Sequence, residues 1–137
     1  MVTSLANYQF RYCTNLASIT LPPALTSIGE GAFNSCVLAS IALPSTLKTI
    51  GHFAFNGQKF VTLDLPASVT SIGQSAFANN ALLTTVTIHA TTPPTNNGYF
   101  FNGCSALQAI YVPAGSVDAY KSASGWSSYS SKIQAIP

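Results

Sequence analysis

The chain has 137 residues, enough for one ordinary domain, and only 6% are charged, against the roughly 25% usual in soluble domains. Its formal charge is +2, from Arg11, Lys48, Lys59, Lys121 and Lys132 against Glu30, Asp64 and Asp118. These groups are scattered and form no basic stripe, so nucleic acid is excluded as a partner.

No run of about 18 consecutive apolar residues is present, so no helix in this segment inserts into a membrane. No charged start followed by an apolar run marks a secretion signal here. Solubility falls to Ser, Thr, Asn, Gln and Gly, a surface that often accompanies secretion.

Taken in order, residues 1–5 align with residues 24–28, and Phe10 aligns with Phe33. The chain therefore begins halfway round a repeat. The expectation is a piece of a longer array whose remainder carries the secretion signal. Residues 21–33 then read L-P-x-x-L-x-x-I-G-x-x-A-F, and residues 43–55 and 65–77 repeat them. Pro22, Pro44 and Pro66 are 22 apart, as are Ile28, Ile50 and Ile72. A period of this size marks a stacked solenoid, whose core grows with each coil.

The rest of the repeat falls into columns. Phe10, Phe33, Phe55, Phe77 and Phe101 form one; Cys13, Cys36, Gln58, Asn80 and Cys104 stand three residues later. Leu16, Leu38, Phe60, Leu83 and Leu107 follow. Ile19, Ile41, Leu63, Val86 and Ile110 alternate with Leu21, Leu43, Leu65, Ile88 and Val112 in the period-2 manner of a strand. Equivalent strands in successive coils pair as parallel neighbours, and each following Pro ends its strand. A second short strand is expected at residues 25–28 and its copies. Gly29, Gly51 and Gly73 are read as tight bends, and the x-x-A-F-x-x-C stretch as a helical or 3-10 turn.

After Ile88 the rhythm breaks. Residues 89–99 contain Pro93 and Pro94, and Phe77 to Phe101 spans 24 residues. The expectation there is an irregular loop without a second strand. Residues 109–113 read as the last main strand. Ser116 reads as the N-cap of a helix over 117–121, with Asp118 in its first turn. Gly125 stops that helix, Trp126 and Tyr129 supply apolar bulk, and Ile133 and Ile136 a closing extended piece. The organisation expected is a β-rich solenoid of about five coils over residues 1–113. A parallel concave sheet and a C-terminal helical cap over residues 114–137 complete it.

These columns resemble the bacterial BspA-type leucine-rich repeat family, over nearly all of residues 1–113. The tail from Ile110 through Trp126 is similar to its closing segment. The departures are Gln58 and Asn80 in the Cys column and the break at 89–99. The resemblance implies a secreted or surface-attached protein of a host-associated bacterium, and some relatives are adhesins. A non-enzymatic interaction module with a protein partner is therefore expected, with no cofactor. A structural spacer and a carbohydrate binder are the alternatives.

Candidate sites are few. Cys13, Cys36 and Cys104 share one repeat position, so the expectation is a ladder of buried free thiols. Parallel Cβ vectors suit a disulfide poorly and a convergent metal site worse. His52 lies between Glu30 and Gln74 of neighbouring coils, where a Glu30–His52 surface pair is expected. His89 and Asp64 could belong to a Ser–His–Asp arrangement only if they converged, which flat ladders disfavour. Asn34, Asn56 and Asn102 are read as a turn ladder serving backbone groups. The outward rows of the main sheet are Ser18, Ser40, Thr62, Thr85 and Ala109, and Thr20, Ala42, Asp64, Thr87 and Tyr111. They form the candidate binding face, because solenoids bind through concave sheets. A glycan would call for several exposed aromatics along one face, and of these residues only Tyr111 is aromatic.

Overall fold

The computed structural model describes residues 1–137. Its strands, in chain order, are β1 (Ser4–Leu5), β2 (Ser27–Ile28), β3 (Thr49–Ile50), β4 (Thr62–Leu65), β5 (Ser71–Ile72), β6 (Thr85–Ile88), β7 (Thr95–Asn96), β8 (Ala109–Val112) and β9 (Ile133–Ala135). One short helix, α1, spans Val117–Ser122. Two parallel sheets run along the stack, in the orders β1-β2-β3-β5-β7 and β4-β6-β8-β9. The fold is a β-rich leucine-rich-repeat solenoid. Register follows the repeat: Ile28 pairs with Ile50, Ile50 with Ile72, and Leu63 with Val86.

The Phe column is the spine of the core. Ring centroids of Phe10, Phe33, Phe55, Phe77 and Phe101 follow one another at 5.3, 5.3, 5.5 and 5.9 Å, with the rings nearly parallel except at the last step. The Leu and Ile columns pack beside it. Leu25, Leu38, Leu47, Leu65, Leu83 and Ile88 are fully buried.

The turns carrying the Phe column are not helical. Backbone donors alternate between the residue's own turn and the next coil. Ala32 N donates to Gly29 O (3.2 Å) and Asn34 N to Gly31 O (3.0 Å), while Gly31 N donates to His52 O (2.7 Å) and Phe33 N to Ala54 O (2.9 Å). Meeting both sets of bonds requires left-handed backbone at two positions per coil. Those positions are Tyr8, Gly31, Phe53, Ser75 and Tyr99, and Tyr12, Ser35, Gly57, Asn79 and Gly103. Gly29, Gly51 and Gly73 have a different role from the expected bend. A Cβ on them would meet backbone nitrogens of the preceding coil at 2.6, 2.6 and 2.4 Å. Close coil-to-coil approach makes them glycine.

Two strand expectations need correction. Residues 89–99 keep a second strand: Thr95 pairs with Ser71 and Asn96 with Ile72. Pro93 and Pro94 fall just ahead of β7, so neither removes a ladder donor, and Thr95 N reaches Thr70 O at 2.9 Å. Conversely, residues 18–21 and 40–43 form no strand. Ladder contact beside them is limited to Val37 N to Leu16 O and Ala39 N to Ala17 O, both 3.3 Å, and Lys59 N to Leu38 O at 2.9 Å. Ile19, Ile41 and Leu43 are only half-buried, so less burial offsets the ordering of these coils.

The closing segment covers the last coil and satisfies the proline-rich stretch. Trp126 Nε1 donates to Pro94 O (2.8 Å), Tyr120 Oη to Ala90 O (2.7 Å) and Ser116 Oγ to Thr91 O (2.7 Å). Ser116 therefore does not cap α1 with its side chain, as the sequence suggested; its hydroxyl is used on the neighbouring coil. Residues Ser127–Lys132 form a 3-10 helix, and β9 adds a parallel rung beside β8.

Candidate binding surfaces

The Cys column acts as one structural device. Cys36 Sγ donates to Phe10 O (3.0 Å) and Cys104 Sγ to Phe77 O (3.2 Å). Gln58 Nε2 donates to Phe33 O (2.5 Å) and Asn80 Nδ2 to Phe55 O (3.0 Å). Each side chain thus serves the Phe carbonyl one coil back, which is why a thiol and an amide exchange here. Every buried side-chain nitrogen and oxygen has a partner, as burial requires. All three cysteines are free thiols. Burial raises the pKa of Cys36 and Cys104 above the ordinary thiol value. Cys13 is only half-buried, which corrects the expectation of three buried thiols: it stands in the outermost coil.

The Glu30–His52 pair does not form. Glu30 accepts the Tyr8 hydroxyl, and that bond is the largest cause holding the Tyr8 pKa above its usual value. His52 Nδ1 instead accepts the Gln74 backbone N–H at 2.8 Å. His89 and Asp64 do converge, contrary to expectation, with Nε2 and Oδ1 2.7 Å apart. Asp64 pairs with Thr87 in register, so His89, two residues on, reaches back along the sheet. Both groups are largely exposed, which gives the pair small energetic weight. The amide ladder also differs in membership and in partners, its rungs bonding to one another and not to turn backbone. Asn56 Nδ2 donates to Asn34 Oδ1 (3.1 Å), and Asn79, not Asn102, is the next rung, donating to Asn56 Oδ1 (2.9 Å).

The outward rows of the main sheet are held in register where the strands pair. Thr62 opposes Thr85, which opposes Ala109; Asp64 opposes Thr87, which opposes Tyr111. Ser18, Thr20, Ser40, Ala42, Thr62 and Asp64 are exposed; Thr85, Thr87 and Tyr111 are half-buried. Ala109 is buried, at 5% exposure, and is removed from the candidate face. No helix is long and apolar enough to cross a membrane.

Sequence reasoning missed a second surface. The left-handed turn positions expose aromatics: Tyr8 at 45%, Tyr12 at 59%, Phe53 at 39% and Tyr99 at 66%. Residue types vary from coil to coil in both columns, so no motif marks them; only the glycines at 31, 57 and 103 hint at the backbone.

Repeat register, stacked phenylalanines and short parallel strands define a leucine-rich-repeat solenoid. The model of the BspA type leucine rich repeat region matches residues 3–127 in six copies, and the chain belongs to that family. A leucine-rich repeat protein from Bacteroides ovatus is similar over 82% of this chain at 32% identity, with a TM-score of 0.66. A leucine rich cell surface protein from Faecalibacterium prausnitzii shares the fold over 82% of this chain at 23% identity, with a TM-score of 0.63. The chain spans 32% and 39% of those two structures. A comparison with curated proteins finds no match. Repeat domains of this kind are in general binding modules for other proteins.

Proposed function

We propose that this segment is a non-enzymatic, adhesive interaction module of a bacterial surface or secreted protein, presented outside the cell to proteins of a host or a neighbouring cell. The supporting observation is the registered outward face of β4, β6 and β8. There Thr62, Thr85, Asp64, Thr87 and Tyr111 stand in two straight rows on a rigid stack. A flat row display suits an extended protein surface better than a small reacting molecule, which needs convergent groups. The "cell surface" neighbour supports the location. Residues 114–137 act in this reading as the cap that keeps the last coil from associating.

The test is adhesion of cells carrying the full-length protein to an extracellular-matrix coat, with and without this segment. Loss of adhesion on deletion, reproduced by Thr62→Arg with Thr85→Arg, is expected. Adhesion restored by a repeat spacer of equal length and unrelated surface would make the segment a spacer instead.

A further inference from the structure

We propose that the turn edge of the array is a separate binding site for an extended, uncharged, β-linked polysaccharide, with Phe53 and Tyr99 as its stacking platforms. The argument begins with the backbone. Tyr8, Gly31, Phe53, Ser75 and Tyr99 have φ of 59°, 59°, 56°, 55° and 57°. Consecutive turns are joined by the bonds Tyr8 N to Glu30 O, Gly31 N to His52 O, Phe53 N to Gln74 O and Ser75 N to Gly98 O. The five residues are one position of the repeat, so the side chains present start from the edge in equivalent directions; the Tyr8 ring lies over Gly31, where a Cβ would meet it at 2.6 Å.

Left-handed backbone disfavours bulky side chains. Phe53 and Tyr99 are not repaid by burial either, being 39% and 66% exposed. Gly31 and Ser75 show that the position accepts small residues. A strained, exposed aromatic is better explained by what its ring can bind.

Spacing points to the ligand. Large and small residues alternate along the column, so rings recur every second coil. Two coil spacings come to about 10 Å, close to one disaccharide unit of an extended β-linked hexose chain. Where the linkage is β-1,4, each sugar is turned over relative to the last, so the same C–H face recurs at every second ring. The electron-rich face of an aromatic ring attracts that C–H face. A protein hot spot would gather its aromatics into one contiguous, dry patch, whereas these rings stand apart.

A groove lined by residues that adjoin the rings in sequence fits the same ligand. It has a volume of about 240 Å³ and is lined in part by Thr49, His52, Ser71, Thr95 and Asn97. Phe53 directly follows His52, and Tyr99 stands two residues after Asn97. His52 Nδ1 accepts the Gln74 N–H, which leaves Nε2 as the ring's free polar atom. No Asp, Glu, Lys or Arg lines the groove. Hydroxyls and amides without charge match a neutral polyol and reject a polyanion. At the first coil Arg11 packs on Tyr8 and Tyr12, at 5.1 and 4.5 Å from their centroids. That end is a cation-covered extension of the row, not a bare platform.

The test is electrophoresis of the purified segment through gels containing hydroxyethylcellulose, mixed-linkage β-glucan or glucomannan, with dextran and polygalacturonate as α-linked and anionic controls. The expected result is retardation in at least one neutral β-linked gel and none in the controls. Phe53→Ser and Tyr99→Gly place the column's own small residues at these positions, so their thermal midpoints should hold. Each should weaken retardation about tenfold, in line with a lost contact to one ring face. Thr62→Arg, on the main sheet, should leave it unchanged. Absence of retardation in every neutral β-linked gel overturns the proposal. So does retardation that survives the double variant, or loss of matrix-protein binding in that variant with glycan binding unchanged.

Discussion

Phe55→Ala tests the stacked spine most sharply. Phe55 is fully buried. Its ring lies between Phe33 at 5.3 Å and 9° and Phe77 at 5.5 Å and 2°, with Phe60 at 6.0 Å. Truncation removes the transfer free energy of a ring and leaves a hole walled by neighbouring coils. Those coils are pinned across it by Phe33 N to Ala54 O (2.9 Å) and Phe55 N to Ala76 O (2.8 Å), so the hole collapses little. The loss should reach the upper part of the ~3–5 kcal/mol range for Phe→Ala. The two stacked pairs, ~0.5–1.5 kcal/mol each, are included in it. Phe10 is half-buried and stacks on one side only, so Phe10→Ala should cost about half as much. Urea unfolding of both variants, followed by circular dichroism, gives the comparison. Losses equal within about 0.5 kcal/mol would refute a spine in which coils on both sides hold the ring.

Cys13 should react with a thiol reagent in the native state well before Cys36 and Cys104; equal rates for all three would contradict the burial gradient. Removing residues 114–137 uncovers Phe100, Phe101 and Ile110, and should cause aggregation and a lower thermal midpoint. A soluble, equally stable truncation would show that the segment is not a cap. Burial raises the pKa of Cys36, Cys104, Tyr120 and Tyr129 in the folded chain. The unfolded chain loses these protons first, so stability should fall as pH rises above about 9. Tyr120→Phe should make that fall shallower while costing ~1 kcal/mol at neutral pH for the bond to Ala90 O; an unchanged alkaline profile would contradict this.

Where one residue type filled one column, the fold could be read directly: the Phe spine and the Ile and Leu rows from the third coil on follow from spacing, whereas the closing helix was placed correctly on a Ser116 cap that does not form. The second strand at Thr95–Asn96 was hidden because a two-residue strand needs few donors. Its flanking prolines obscured it, and Asn96 stands where other coils have Ile. The glycine column was located but misread, since a close backbone approach leaves the same sequence trace as a bend. Of the candidate surfaces, the hydroxyl rows follow from strand alternation, whereas Ala109 was lost to packing that no local pattern encodes. The aromatic turn edge was invisible because its defining property is a backbone angle shared by Tyr, Gly, Phe and Ser.

Both proposed surfaces depend on an unbroken ladder from the first coil to the last, through the proline-rich stretch. Amide hydrogen exchange measures that ladder bond by bond. Gly51 and Gly73, bonded to Ile28 O and Ile50 O at 2.8 Å, and Thr95, bonded to Thr70 O at 2.9 Å, lie in or just after strands of one sheet. The account predicts strong protection at all three and declining protection toward Tyr8. Fast exchange at Thr95 beside a protected Gly73 would contradict it, because the stack would then end at the fourth coil.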